Sequence, residues 1–386
     1  MSARTPKRAG ARAAPFAGPA GPEAFSRRHL LLRSLGASAT LLLSGCGGLG
    51  RDAEPALPTR RDGRTALLLP LSGGQAQLGR NLSRAARLAA PDPQNDPEFT
   101  FADSGTAIDS AVLAARAAVA GGARMLLGPL FGAQAAAVAQ AVGRDVPVVS
   151  FSNDASLAGG GLFIYGVTPA QSASAVLGYA AARGKRRITV VAPPGALGTQ
   201  AARAAAEVAR RTGITLGSPV IAAGGIAGPA LLAQVRAASG GTLPDAVYLP
   251  AAGPELPALA SALGGSGVQL LGSAQWASID AQSNAALRGA WYAAPDPLRF
   301  DPFAEAYREA FDESPGILAG LAFDAVEMAR YLGRVGAQDA AGLTRPEGFN
   351  GILGPYSFAS DGTCQRALAV LQVEQGALTL IGGAAG

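Results

Sequence analysis

The sequence predicts an α/β fold made of two doubly wound parallel-sheet lobes, and three observations support this. From about residue 64, short apolar runs alternate with longer Ala/Leu-rich segments at helical spacing, as in βαβ units. The predicted strands, such as Thr65–Leu69, are continuously apolar, which is typical of strands covered by helices on both faces. The chain has 386 residues, too many for one ordinary core, so two lobes are expected.

The elements follow in two series. In the first, helices over about 76–90, 107–120 and 133–142 separate the strands Thr65–Leu69, Phe99–Ala102, Arg124–Leu127 and Val146–Phe151. In the second, helices over about 171–183, 198–212, 229–239 and 254–263 accompany the strands Arg187–Ala192, Ile214–Ile221, Asp245–Pro250 and Val268–Leu271. Two helices, about 301–311 and 316–334, then precede a tail with the predicted strands Ile352–Phe358, Ala367–Val373 and Leu378–Ile381.

The first 45 residues have the features of an export signal. Arg27 and Arg28 precede an apolar stretch, and residues 34–45 carry no charge. Twelve residues are too few to span a bilayer, so the stretch is interpreted as a cleavable signal peptide of the twin-arginine type.

The stretch ends in Leu43-Ser44-Gly45-Cys46, which resembles the lipobox of bacterial lipoproteins. This resemblance implies a lipid on Cys46 that would hold the protein at a membrane. Gly47 in place of Asp favours the outer membrane, as in lipoproteins generally. An ordinary leader with an incidental Cys46, or an uncleaved anchor, remains open; residues 46–63, rich in Gly, Pro and charge, are expected to form a flexible tether.

Composition excludes several functions. The net charge of +5 comes from the leader, which has seven Lys/Arg and one acidic residue, Glu23. The rest of the chain is close to neutral, so a nucleic-acid partner is not expected. The only histidine, His29, also lies in the leader, so the body has no Ser-His-Asp triad and no His-ligated zinc. With Cys46 and Cys364 as the only cysteines, we expect no catalytic residue, no metal and no cofactor.

Candidate ligand contacts come from the loops that follow the predicted strands. In an open parallel sheet, ligands bind beyond the carboxyl ends of the strands. These loops are rich in Gly, Ser and Asn, and their free N–H groups and hydroxyls suit a carboxylate-like head group, although helix caps and turns use the same residue types. The predicted ligand-binding residues are Ser72, Gly73, Asp103, Phe131, Ser152, Asn153, Gln275 and Trp276.

Several segments resemble leucine-binding-type periplasmic proteins, which have the type I periplasmic-binding fold. These segments are Ala66–Gly73 with Leu78-Gly79, Leu127-Gly128-Pro129, Val146–Ser150 and Ala322–Val326. The resemblance implies two lobes joined by three crossovers, expected near Tyr165–Val167, Ala293–Pro295 and Arg345–Gly351. Lobe 1 would then comprise 64–166 plus 295–348, and lobe 2 would comprise 167–294 plus 349–386.

The chain also departs from the amino-acid receptors of that family. Their loop after Gly-Pro usually offers Ser or Thr, whereas this chain has Leu130-Phe131-Gly132, and Pro193–Gly198 has neither the acid nor the tyrosine found beside their ligand. A set of residues that would hold the ammonium group of an amino acid, here called the α-ammonium clamp, is therefore not visible. The segments 128–131, 150–154 and 291–297 resemble instead the branch known as penicillin-binding protein activators.

Two functions follow from these resemblances. The first is a non-enzymatic, lipid-anchored periplasmic receptor that binds an amino acid or similar small polar ligand between its lobes for an ABC permease. The alternative is an activator-like lipoprotein that regulates peptidoglycan synthesis by contact with a synthase. The missing clamp favours the second function, whereas the lack of room for an N-terminal helical-repeat domain in 47–63 favours the first.

Overall fold

The computed structural model describes residues 64–90, 99–222 and 228–383. The predicted signal peptide (1–45), with Arg27 and Arg28, and the predicted tether with Cys46 lie outside the described residues. None of the helices in the described ranges is long and apolar enough to cross a membrane.

The described strands are β1 (Arg64–Leu69), β2 (Phe99–Asp103), β3 (Ala123–Leu127), β4 (Val148–Ser150), β5 (Leu162–Ile164), β6 (Arg187–Ala192), β7 (Thr215–Leu216), β8 (Val220–Ile221), β9 (Ala246–Leu249), β10 (Gln269–Gly272), β11 (Trp291–Ala294), β12 (Phe349–Gly351), β13 (Gly354–Phe358), β14 (Cys364–Arg366), β15 (Ala369–Glu374) and β16 (Ala377–Gly382). The described helices are α1 (Ala76–Ala89), α2 (Ile108–Ala120), α3 (Gly132–Val142), α4 (Pro169–Ala182), α5 (Ala196–Thr212), α6 (Gly228–Ala238), α7 (Leu256–Leu263), α8 (Pro297–Phe311), α9 (Ile317–Arg334) and α10 (Ala340–Leu343).

The first sheet has the strand order β2-β1-β3-β4-β5, and its strands are all parallel. Successive side chains of a strand point to opposite faces, and both faces of this sheet are covered. Leu67 and Leu69 join the core formed with α1 and α9, whereas Ala66 and Leu68 join the core formed with α2 and α3. Burial on both sides explains why β1 is continuously apolar.

The second sheet has the order β16-β15-β11-β10-β9-β6-β7, with β8 also paired to β6. Strands β6 to β11 are parallel, and the hairpin β15–β16 adds two antiparallel strands at one edge. One face packs on α4 and α5, the other on α6 and α7. The expected α/β fold with two doubly wound lobes, each built on a largely parallel sheet, is therefore confirmed.

A small third sheet, β12-β13-β14, changes the expected division of the tail. Its apolar residues pack on the first lobe: the Phe163 and Phe358 ring centroids are 5.6 Å apart and those of Tyr165 and Tyr356 are 5.0 Å apart. Leu353 also lies in the first core. The expectation that all of 349–386 belongs to lobe 2 is thus corrected, because the inward-facing residues of β13 cover the first core and only β15 and β16 extend the second sheet.

The connections between lobes follow from this arrangement. The chain leaves the first lobe between β5 and α4 and returns between β11 and α8. The third connection lies at Ala367 and Leu368, between β14 and β15, and not near Arg345–Gly351 as the sequence suggested. The predicted strand Ile214–Ile221 is also divided into β7 and β8. Between them the Ser218 N–H donates to the Ala238 carbonyl at 3.1 Å and not to β6, and Pro219 has no N–H to donate to the sheet.

Candidate functional site

A cleft of about 640 Å³ lies between the lobes, at the carboxyl ends of the parallel strands. Both lobes contribute to its lining. The apolar part of the lining includes Leu78, Leu130, Phe131, Leu197, Ile317 and Leu318, and the polar part includes Asn81, Ser152, Asn153, Ser172, Tyr248, Ser273, Gln275 and Ser278. Four of the predicted ligand contacts, Phe131, Ser152, Asn153 and Gln275, are therefore brought together in one cavity.

The turn after β3 positions Phe131 at the cleft. Gly128 has φ +96°, and a Cβ there would overlap the carbonyl oxygen of Leu68. Only glycine meets both conditions without strain. The turn then delivers Phe131 to the N-cap position of α3, with Gly132 as the first helical residue, and both residues line the cleft.

Hydroxyl groups fix the loop that follows β4. Ser150 Oγ donates to the Pro129 carbonyl at 2.7 Å and accepts from the Ser152 N–H at 3.1 Å. Ser152 Oγ in turn accepts from the Asp154 N–H at 3.2 Å. These bonds tie the loops after β3 and β4 together and leave the exposed Asn153 at the cleft.

In the second lobe, the segment after β10 places Gln275 at the cleft but buries Trp276. Ser273 Oγ accepts from the Gln275 N–H at 3.1 Å. Trp276 is fully buried and donates from Nε1 to the carbonyl of Leu249 at 3.1 Å. The proposed ligand contact by Trp276 does not fit this position: the indole belongs to the core of the second lobe, because its ring packs directly over Gly272.

Ser72, Gly73 and Asp103 come together at the ends of β1 and β2, but they are not among the residues that line the cleft. Asp103 Oδ1 accepts from the N–H groups of Leu71 at 2.9 Å, Ser72 at 3.2 Å and Gly105 at 2.8 Å. Slight burial acts to raise the pKa of Asp103, but the hydrogen bonds from its neighbours outweigh it and lower the pKa overall. Asp103 therefore holds the loops after β1 and β2 together. Asp at the end of a strand often accepts from nearby backbone N–H groups in this way.

Sequence reasoning missed Tyr248, which is 0% exposed and lines the cleft. Its hydroxyl has no hydrogen-bond partner within the described ranges, and burial raises its pKa. Tyr248 lies within the apolar run of β9, where the residue pattern indicates only core packing. The N-terminus of α9, at Gly316–Ala319, also lines the cleft but was not predicted. This helix follows α8 and not a strand, so a search of the loops after strands does not find it.

One hydrogen bond joins the lobes beside the cleft. Gln200 Nε2, on α5, donates to Asp154 Oδ1, in the loop after β4, at 3.0 Å. The same oxygen accepts from the N–H and the hydroxyl of Ser156. The Asp154 carboxylate thus connects the cleft loop of the first lobe to a helix of the second.

A buried ionic cluster lies where two of the connections between lobes begin. The Arg366 side chain is 0% exposed and its Nη1 lies 3.7 Å from Asp324 Oδ2. Its guanidinium carbon is 4.6 Å from the ring centroids of both Tyr165 and Tyr356. Asp324 also accepts from the N–H of Ile352 at 2.8 Å. Burial raises the pKa of Asp324 to about 6, against the opposing effects of Arg366 and the backbone N–H groups.

Two observations concern possible metal ligands and nucleophiles in the described part of the chain. No group of three or more His, Cys, Asp or Glu side chains there could hold a metal ion. Cys364 is buried, and burial raises its thiol pKa to about 11, which keeps it protonated and a poor nucleophile at neutral pH.

Comparisons with known proteins agree with this architecture. The sequence model of the periplasmic binding protein family matches residues 64–377. No curated protein sequence matches the chain. Among solved structures, a protein described as a branched-chain amino acid ABC transporter from Rhodospirillum rubrum is similar, with a TM-score of 0.71 and 20% identity over 83% of this chain and 100% of that one.

Two further structures have the same fold. An ABC transporter substrate-binding protein from Sphaerobacter thermophilus gives a TM-score of 0.66 and 19% identity, over 83% of this chain and 96% of that one. Full-length LpoA from Haemophilus influenzae gives a TM-score of 0.65 and 19% identity, over 83% of this chain but only 58% of that one. Since the family match spans most of the chain and the sheets have the topology expected of it, this protein belongs to the periplasmic binding protein family and has the type I fold of its leucine-binding-type members.

Proposed function

We propose that this protein is a non-enzymatic, lipid-anchored periplasmic receptor that holds a small polar molecule between its lobes and delivers it to an ABC permease. The observation that carries this proposal is the cleft of about 640 Å³ with lining residues from both lobes. A ligand that contacts both lobes stabilises the arrangement in which they face each other, and a partner can recognise that arrangement. The likeness to a substrate-binding protein of an ABC transporter supports the same function.

The location rests on the N-terminal sequence. Arg27 and Arg28 would direct export by the twin-arginine route, and Cys46 would then carry the lipid. Gly47 after the cysteine supports the outer membrane as the site of attachment.

A second candidate is an activator-like lipoprotein that regulates peptidoglycan synthesis by contact with a synthase. The fold likeness to full-length LpoA favours it, as does the absence of the α-ammonium clamp from the loops 130–132 and 193–198. In this case the cleft would be a remnant and the outer surface of a lobe would carry the function.

Thermal unfolding with added solutes, combined with affinity capture, tests the two candidates. A receptor is stabilised by RT ln(1 + [L]/Kd), or about 2.7 kcal/mol at a ligand concentration 100-fold above Kd. The receptor proposal predicts a raised melting temperature with at least one member of a panel of amino acids, carboxylic acids, sugars, nucleosides and muropeptides. No response to the whole panel, together with specific capture of a peptidoglycan synthase, would support the regulator and contradict the receptor.

A further inference from the structure

The cleft contains no charged side chain in its described lining. None of the residues that line it is Asp, Glu, Lys, Arg or His. Two acidic residues of neighbouring loops already have partners: Asp154 accepts from Ser156 and Gln200, and Asp103 accepts from backbone N–H groups. An ammonium group in this cleft would lose water without gaining a carboxylate, and burial of an unpaired charge is costly.

The electrostatic field of the cleft favours negative charge. Two helices of the first lobe, α3 and α9, begin at its surface, with Phe131 and Gly316 as their N-cap residues. Neither N-cap residue supplies a side-chain hydrogen bond, so the N–H groups of the first turns remain available and each helix presents the positive end of its dipole. In contrast, α4 also begins at the cleft but is closed by a capping box of Thr168 and Gln171.

A separate observation in the second lobe points to a ligand. The Tyr248 hydroxyl is buried and has no hydrogen-bond partner in the described ranges, although the residue lines the cleft. A buried hydroxyl without a partner costs about 1–3 kcal/mol, so such groups usually have a partner in the functional state. A carboxylate oxygen is a suitable acceptor for this O–H group.

Apart from the hydroxyls of four serines and the amides of three Asn and Gln residues, most of the remaining lining is apolar. The large apolar residues of the lining include Leu130, Phe131, Ile317 and Leu318 from the first lobe and Leu197 from the second. The side-chain amides of Asn153 and Gln275 line the cleft from the first and the second lobe, so each lobe offers an uncharged group that can both donate and accept. An apolar body with few polar substituents would fill this cavity.

We propose that the cleft selects a small carboxylic acid with an apolar body and no ammonium group, and that the Tyr248 hydroxyl donates a hydrogen bond to it. This inference rests on the proposed receptor function and specifies its ligand. The uncapped N-termini of α3 and α9 stabilise the carboxylate, while the apolar residues of the lining contact the apolar body of the ligand. An α-amino acid of the same shape is rejected because its ammonium finds no counter-charge.

Calorimetric titration of the purified protein with matched compounds tests the ligand class. The compounds are 3-phenylpropanoate, phenylalanine, 3-phenylpropanamide and 2-phenylethylamine, with 4-methylpentanoate and leucine as an aliphatic pair. We expect at least one acid to bind more than about 10-fold tighter than its amino acid and its amide, and the amine to give no binding. Equal or tighter binding of the amino acid, or of the neutral amide, would overturn the proposal.

The failure of this inference is distinguishable from failure of the receptor function. If all six compounds are silent while a sugar, nucleoside or muropeptide raises the melting temperature, the ligand class is wrong and the receptor stands. If no solute of either panel binds, both are contradicted.

The variant Tyr248→Phe tests the hydroxyl alone. We expect it to weaken binding of the preferred acid by about 10-fold or more, since a hydrogen bond to a charged group is lost. The melting temperature without ligand should stay the same or rise, because the hydroxyl has no protein partner to lose. Tyr292→Phe is the matched control: Tyr292 is also buried in the second lobe but does not line the cleft. Unchanged affinity in Tyr248→Phe, or an equal loss in Tyr292→Phe, would overturn the assignment of the hydroxyl.

Discussion

Replacement of Arg366 by methionine should strongly destabilise the first lobe. The Arg366 side chain is 0% exposed, the Asp324 side chain is 3% exposed, and the two charged groups are 3.7 Å apart. At an effective dielectric constant of about 20, two unit charges at this distance attract by about 4–5 kcal/mol. Removal of one partner from a buried pair typically costs about 3–5 kcal/mol, because the other charge remains buried and unpaired. We therefore expect Arg366→Met to lose about 3–5 kcal/mol at pH 7.5.

The pH dependence identifies the electrostatic cause. The pKa of Asp324 is already raised to about 6 by burial, and removal of Arg366 should raise it further. A raised folded-state pKa means that the folded protein binds the proton more tightly than the unfolded chain, so stability increases as the pH falls below that pKa. The loss caused by Arg366→Met should therefore shrink between pH 7.5 and pH 5.

Urea unfolding followed by circular dichroism measures these effects. The double variant Arg366→Met/Asp324→Asn should recover part of the lost stability, because neither charge is then unpaired. Arg345→Met is the matched control: Arg345 also lies over aromatic rings and beside a carboxylate, Glu347, but this pair is partly exposed and should contribute less than about 1 kcal/mol. A loss below about 1 kcal/mol for Arg366→Met, or an equal loss at both pH values, would show that Arg366 does not compensate the buried charge of Asp324.

Further substitutions test other parts of the account. Gly272→Ala should cost about 1–3 kcal/mol and shift the emission of Trp276 to longer wavelength, because a Cβ there would overlap the indole; Gly178→Ala, where a Cβ meets nothing within 4 Å, should instead stabilise α4 by about 0.5–1 kcal/mol in the same thermal scan. Asp103→Ala should cost about 1 kcal/mol at pH 7 without loss of ligand affinity. Because the pKa of Asp103 is lowered, this difference should disappear as the pH falls through that pKa in acid-unfolding curves. Cys46→Ala should move the protein from the membrane fraction to the soluble fraction on cell fractionation, and retention at the membrane would contradict the proposed lipid anchor.

Sequence alone predicted the alternating α/β order because strands buried on both faces are continuously apolar, as β1 and β6 are. It failed for β5 and β11, which have only three and four residues and for which no strand was predicted. It also misplaced β12–β14, since alternation in β13 shows that one face is buried but not which lobe covers it. Long-range packing, such as Phe358 against Phe163, decides that.

The candidate site was predictable where it follows strand ends, which is why Phe131, Ser152, Asn153 and Gln275 were found. Strand ends alone do not show which way a side chain points. Trp276 neighbours Gln275 in sequence but turns into the core, where its Nε1–H reaches backbone carbonyls. Tyr248 shows the converse: it is a buried strand residue, and only the structure shows that it lines the cleft and that its hydroxyl has no partner in the described ranges.

Titration calorimetry of a variant with a blocked cleft tests whether a small molecule binds between the lobes. Asn153 is exposed and lines the cleft, so Asn153→Trp should fill part of the cavity while the melting temperature without ligand stays unchanged. For 3-phenylpropanoate or 4-methylpentanoate, we predict a single-site binding isotherm with the wild-type protein and none with Asn153→Trp. Equal binding by both proteins, or no binding of any solute of either panel to the wild type, would mean that the cleft is not a binding site.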